Sequence, residues 1–183
     1  MKKSIKLDKA HLLINHGPVV LITSHDGKKA NIMTLAWTTP LNWAPPTIGV
    51  VIGDQAYSKK VILRTKQFVV NIPTEKILKE TVYCGSVSGK NFDKFAKSGL
   101  TQYPAKKVKV PLIKECVGHL ECRVVKVHKF GDASLIVGRV LAASADDGLF
   151  DDRLKVEDLR AKTVHHLGGS YFSVPGKVVS ERS

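Results

Sequence analysis

The chain has 183 residues and a formal charge of +13, from 29 Lys and Arg against 16 Asp and Glu, a length that suits one compact domain. Leu, Ile, Val and Phe number 56, above the roughly 20% floor of disordered chains, so a packed core is expected. No apolar run approaches the about 18 residues of a membrane helix, and the three cysteines, Cys84, Cys116 and Cys122, form no C-x-x-C pair, which argues against a disulfide framework and a structural zinc site.

Met1-Lys2-Lys3 is basic like the start of a signal peptide, but Asn15, His16 and Pro18 break the apolar stretch that follows and there is no small-residue cleavage site. A cytoplasmic protein with no membrane role is expected. Pro18 to Ser24 is apolar and β-branched, and His25-Asp26-Gly27-Lys28-Lys29 supplies turn chemistry before a second extended run, Ala30 to Thr39. Residues 47 to 53 read as a third, buried strand. Ser58 then reads as the N-cap of a helix over Lys59 to Lys66, and Gln67 to Ile72 as a fourth strand ended by Pro73. Thr74 reads as the cap of a short helix toward Tyr83, and a further small helix spans Asp93 to Lys97 and stops at Gly99. From Cys116 to Ala145 two long β-rich runs flank Gly131-Asp132, a hairpin able to close a barrel. Val plus Ile (33) outnumber Leu plus Ala (29), so the fold class is mainly β (α+β), with a few short helices.

Charge is uneven. Residues 146 to 158 hold Asp146, Asp147, Asp151, Asp152, Glu157 and Asp158, a solvated acidic loop that leaves about +17 on the rest of the chain.

Several motifs fail. Gly85-Ser86-Val87-Ser88-Gly89-Lys90-Asn91 lacks the first glycine and the final Ser or Thr of a phosphate loop, and Val87 occupies the place of a serine nucleophile. There is no G-x-G-x-x-G and no H-E-x-x-H, and the adjacent His165-His166 would point to different sides of a regular element, so no metal site is expected.

Three features survive. Lys59 and Lys60 stand at a helix start, where the dipole disfavours cations; either an anion such as phosphate sits there with the Ser58 hydroxyl, or abundant lysines fall there by chance. Across Ala30 to Thr39, Ile32, Thr34, Ala36 and Thr38 share a small, hydroxylated face that could lie against a flat heteroaromatic ring; the alternative is an ordinary buried strand with Leu35 and Trp37 in the core. Lys94 lies between Asp93 and Phe95, next to two core phenylalanines or at a ligand.

Taken in order, Asn31-Ile32-Met33-Thr34-Leu35-Ala36-Trp37, Tyr57-Ser58-Lys59-Lys60, Phe68-Val69-Val70-Asn71-Ile72-Pro73, Cys84-Gly85, Ser88-Gly89 and Asp93-Lys94-Phe95 resemble the flavin reductase-like, or flavoredoxin, family, from about Leu12 to about Tyr171. The resemblance implies an FMN-binding Greek-key split β-barrel, a homodimer, and electron transfer from NADH or NADPH. It places flavin contacts at Asn31, Met33, Thr34, Trp37, Thr38 and Thr39, phosphate-side contacts at Ser58, Lys59 and Lys94, and a further cofactor contact at Ser88. His165 to Tyr171 resembles the family's closing segment more loosely. One domain over 1–183 is expected, with a barrel core about 12–145 and the segment 146–183 packed on it.

Flavin carries its own redox chemistry, so no catalytic acid or base is demanded. The expected function is an FMN-binding oxidoreductase passing electrons to free flavin, ferric iron or a protein partner. Two alternatives stand beside it: a pure flavin electron carrier without a nicotinamide site, and a basic nucleic-acid-binding barrel. The second is disfavoured because Lys106-Lys107-Val108-Lys109 lacks interleaved aromatics.

Overall fold

The computed structural model describes residues 2–181. The strands are β1 (Val20–His25), β2 (Ala30–Leu35), β3 (Thr38–Trp43), β4 (Pro46–Gly53), β5 (Gln67–Ile72), β6 (Gln102–Tyr103), β7 (Leu112–Ile113), β8 (Gly118–Phe130), β9 (Ala133–Ala145), β10 (His165–Gly168) and β11 (Tyr171–Ser173). The helices are α1 (Tyr57–Thr65), α2 (Leu78–Ser86) and α3 (Lys94–Ser98), with short 3-10 turns beside them.

Seven strands form one sheet in the order β2-β1-β5-β8-β9-β4-β3, every neighbouring pair antiparallel. Its two edges, β2 and β3, are consecutive in sequence and joined only by Ala36 and Trp37, so the sheet must curl until its edges nearly meet. The Val51 amide donates to the Trp37 carbonyl at 2.9 Å beside this junction.

Local chemistry sets the hairpins. In the β1–β2 turn one Asp26 oxygen accepts from the Lys28 and Lys29 amides at 2.8 and 2.7 Å, and Gly27 takes the φ of +100° that a side chain would resist. These amides hold the Asp26 carboxyl below its ordinary range. Gly131, at φ +57°, turns β8 into β9 as the sequence predicts.

The interior of the curl is Val20, Ile22, Val50, Ile52, Phe68, Val70, Cys122 and Ile136, with Ile62 reaching in from α1. Gly138 makes room for the Phe68 ring: a Cβ there would lie 2.5 Å from it. A second cluster, including Leu21, Ile32, Cys84, Phe95 and Ile113, packs α2 and α3 on the outside of β1 and β2. Strand alternation explains the split, since Ile32 faces the helices whereas Met33 and Leu35 face the barrel. The chain from 162 returns to the barrel, where the Val19 amide donates to the Val164 carbonyl at 2.7 Å and Pro18 bridges to His165.

Four local expectations are corrected. The run Ala30 to Thr39 is two strands, because β2 ends at Leu35 and the chain kinks to begin β3. Trp37 is accordingly no core residue, being 47% exposed. The N-cap of α1 is Ala56, and Ser58 lies inside the first turn. Thr74 gives no side-chain cap; a 3-10 turn over Glu75–Ile77 leads into α2, which runs past Tyr83 to Ser86. The Asp93 cap is as predicted, accepting from the Ala96 amide at 3.1 Å, with Gly99 at φ +75° ending α3.

The acidic segment ties up its own charge. Arg153 grips Glu157 in a two-armed pair at 2.7 and 2.8 Å, Lys155 meets Asp151 at 3.0 Å, and Arg160 meets Asp158 at 2.8 Å. Among the described residues no helix is long and apolar enough to cross a membrane.

Candidate functional site

A cleft of about 340 Å³ opens where the first turn of α1 faces the end of α2 across β2. Met33 and Thr34 form its floor, Ser58 one side, Gly85 and Ser88 the other, and Lys94 reaches in from α3. Five predicted contacts, Met33, Thr34, Ser58, Ser88 and Lys94, are thus gathered from four separate stretches of chain.

Glycine makes the walls close. A Cβ on Gly85 would press Thr34 Cβ at 3.2 Å, and a Cβ on Gly89 would overlap Asn31 Oδ1 at 1.8 Å. Thr34 turns its hydroxyl to the Thr81 carbonyl of α2, which locks the floor against that helix.

The first turn of α1 is fixed from three directions. Tyr57 Oη donates to Asp26 Oδ2 at 3.3 Å, and Asn31 Nδ2 donates to Ser58 Oγ at 2.7 Å. Lys59 Nζ donates to Asp54 and to Ser134 Oγ on β9, the latter at 2.7 Å. Lys59 holds the Asp54 carboxyl below its ordinary range. Of the opening amides of α1, that of Lys59 donates to the Ala56 carbonyl at 3.1 Å, whereas those of Tyr57 and Ser58 have no backbone acceptor among the described residues and could serve an anion.

Lys94 is the cation facing this cleft. It is 4% exposed, and Nζ donates to the Cys84 carbonyl at 2.6 Å. Among the described residues no carboxylate pairs with it. Burial pushes its pKa below the ordinary lysine value, because desolvation penalises the ammonium, and it pushes the neighbouring Cys84 thiol up. A buried cation without a counter-charge is costly in isolation, and an anion in the adjoining cleft would offset that cost.

The other five predicted contacts lie outside this cleft. Lys59 does not face the cleft: it is 7% exposed and spent on Asp54 and Ser134. Asn31, 3% exposed, stands behind Ser58. Trp37, Thr38 and Thr39 border a second hollow of about 360 Å³, which His11, Asn15 and Gly49 complete. The His11 ring meets the Trp37 indole edge-on, centroids 5.9 Å apart. The segment 33–39 therefore borders the cleft at one end and the hollow at the other.

Gln55, His11, Asn15 and Gly49 escaped sequence reasoning because they carry no motif and meet the others only through the sheet order. Gly85 and Gly89 were visible as glycines, but their contacts with Thr34 and Asn31 were not.

The curled antiparallel sheet defines a split β-barrel protein, mainly β with few helices. The family model for the flavin reductase like domain matches residues 14–173, and the chain belongs to that family. An uncharacterised protein of Archaeoglobus fulgidus is 41% identical over 139 residues, 76% of this chain and 77% of the relative. The crystal structure of flavoredoxin from Methanosarcina acetivorans superposes with a TM-score of 0.86 at 29% identity, covering 99% of this chain and 96% of that one. An FMN-binding domain of a flavin reductases-like enzyme from Shewanella baltica gives 0.81 at 25% identity, covering 97% and 96%.

Proposed function

We propose that the protein is an FMN-binding oxidoreductase that takes electrons from NADH or NADPH and delivers them to free flavin, ferric iron or a protein partner. The observation that carries the reading is Lys94, a buried ammonium without a carboxylate among the described residues, at a cleft that the first turn of α1 also lines. The FMN-binding neighbour from Shewanella baltica supports the choice of cofactor.

The residues fit such a group. The α1 first turn and Ser58 would hold the phosphate from one side and Lys94 from the other, while Gly85 and Gly89 let the backbone come close. Thr34, locked to α2, keeps the floor flat for the remainder. Bound FMN would supply the electron-transfer chemistry; the chain binds it, orients it and limits water. The hollow at Trp37, Thr38 and Thr39 gives the ring end an apolar wall with hydroxyls at its rim.

A homodimer belongs to the same reading. The β3–β4 hairpin carries Trp43, 92% exposed, and Leu41, with the half-exposed Trp37 before its other end, and the 3-10 turn at Leu7–Leu13 exposes Leu7, Leu13 and Ile14. Apolar side chains this exposed gain from a second copy covering them. A cytoplasmic setting accords with three buried, unbridged cysteines.

The test is the visible spectrum of the purified protein, before and after FMN addition, followed by anaerobic mixing with NADH and with NADPH. A flavin spectrum and its direct bleaching by one nucleotide are expected. No flavin spectrum even with added FMN overturns the reading; flavin that binds but is bleached by neither nucleotide reduces it to an electron carrier.

A further inference from the structure

Ser58 is 3% exposed and lines the cleft, and its hydroxyl oxygen accepts a hydrogen bond from Asn31 Nδ2 at 2.7 Å. A hydroxyl has one proton to give and two lone pairs to accept with. Because Asn31 occupies a lone pair, the proton of Ser58 cannot point back at Asn31. It meets no acceptor among the described residues, whereas the neighbouring hydroxyls of Thr34 and Thr65 are each satisfied by a carbonyl. The proton is left to the cleft.

The orientation of the Asn31 amide decides the argument, and Gly89 settles it. Asn31 Oδ1 has no hydrogen-bond donor and lies where a Cβ on Gly89 would fall, 1.8 Å from that position. Glycine carries a hydrogen there, so a Cα–H points at the oxygen, a weak but favourable contact. Turning the amide over would instead set the NH2 group against that hydrogen, exchanging an attractive C–H···O contact for a repulsive N–H···H–C one at the same close distance. The amide nitrogen therefore faces Ser58.

We infer that Asn31 is a positioning residue for the phosphate end of the cleft: it holds Ser58 Oγ as an acceptor, so that the serine proton is presented to an anion between α1 and Lys94. The inference rests on the FMN reading above and assigns Asn31 no contact with the ligand. The phosphate recognition of Ser58 is thus set by a residue on β2, 27 positions earlier in the chain.

Titration of FMN and of riboflavin, which lacks the phosphate, into wild type, Asn31→Ala, Ser58→Ala and the double variant tests this. Each single change should weaken FMN about tenfold, the value of one ordinary hydrogen bond, and leave riboflavin within about twofold. The double variant should bind FMN no more weakly than Ser58→Ala alone, because Asn31 acts only through Ser58. Asn31→Asp, of the same shape but an acceptor toward Ser58, should abolish the preference for FMN over riboflavin, and it keeps the test open if Asn31→Ala unfolds. Equal weakening of FMN and riboflavin in the Asn31 variants, an added loss in the Ser58→Ala background, or unchanged FMN affinity overturns the inference while leaving the FMN reading intact. Wild-type protein that binds neither flavin overturns that reading, and this inference with it.

Discussion

Lys59 on α1 and Lys94 at the start of α3 are both almost wholly buried, at 7% and 4% exposure, yet their surroundings differ in kind. Lys59 has a carboxylate, Asp54, and a hydroxyl, Ser134, and with them it ties the α1 start to β9. Lys94 has one backbone carbonyl and no carboxylate, and its pKa is lowered by burial. The contrast teaches that a buried cation is read by its partner: one with a counter-charge ties the scaffold together, and one without is the candidate for a ligand's charge.

The largest effect separating the two should be on stability. Lys59→Ala removes a buried side chain's bonds to the part-exposed Asp54 and to Ser134 and empties its space, and should lower the midpoint of chemical denaturation without flavin. Lys94→Met should leave apo-protein stability unchanged or raise it by about 1 kcal/mol, since an apolar side chain replaces an uncompensated ammonium. If both variants lose stability equally, the division between scaffold and ligand lysine fails.

On flavin binding the ranking should reverse. Lys94→Met should weaken FMN by about 1.5–3 kcal/mol, the range of a charge-assisted hydrogen bond. Fluorescence titration of FMN checks it, with riboflavin as the control that should barely change.

Gly89→Ala sharpens the comparison from the cleft side. The new methyl must displace Asn31, and should cost about 1–3 kcal/mol of stability together with a loss of FMN affinity. Stability equal to wild type would mean that the loop at 87–89 moves aside freely.

A smaller effect is the pH dependence of the apo protein. The Lys94 pKa is lower folded than unfolded, so between the two values the unfolded chain holds a proton that the folded one has released. Stability should therefore rise as pH passes through the folded value toward about 10.4, and the rise should be weaker in Lys94→Met. The smallest lies far from either lysine. Arg153 holds the Glu157 carboxyl down to about 2, so the stability this exposed pair lends is complete above the unfolded value of about 4.3 and lost as pH falls toward 2. Glu157→Gln should shift Tm only slightly at neutral pH and not at all near pH 2.

Much of the fold was legible in the residues. Asp26-Gly27 fixed the first hairpin, Gly131-Asp132 the long one, and Asp93 and Gly99 bracketed α3, because each supplies a hydrogen bond or a backbone angle to its own neighbours. The β3–β4 hairpin was less visible: Thr38, Thr39 and Pro40 continue a β-rich run, and nothing local marks the kink at Ala36 and Trp37. In the cleft, the motifs pointed to Met33, Thr34, Ser58, Ser88 and Lys94, which the fold gathers. They did not show that the Lys59 ammonium is engaged by Asp54 and Ser134, since neither partner is marked by a motif.

The sequence by itself determined most strands, the hairpin turns, the α3 cap and the family motifs, since strand propensity, turn chemistry and capping act over a few residues and are written where they act. Only the tertiary structure decided which lysine faces the cleft. Lys59 turns inward because the sheet order brings β9, and with it Ser134, 75 positions later, alongside α1. Lys94 stays without a carboxylate because α3 packs against the apolar outside of β2. Charge pairing depends on distance in space and on the water excluded around it, and neither is fixed until the barrel has curled.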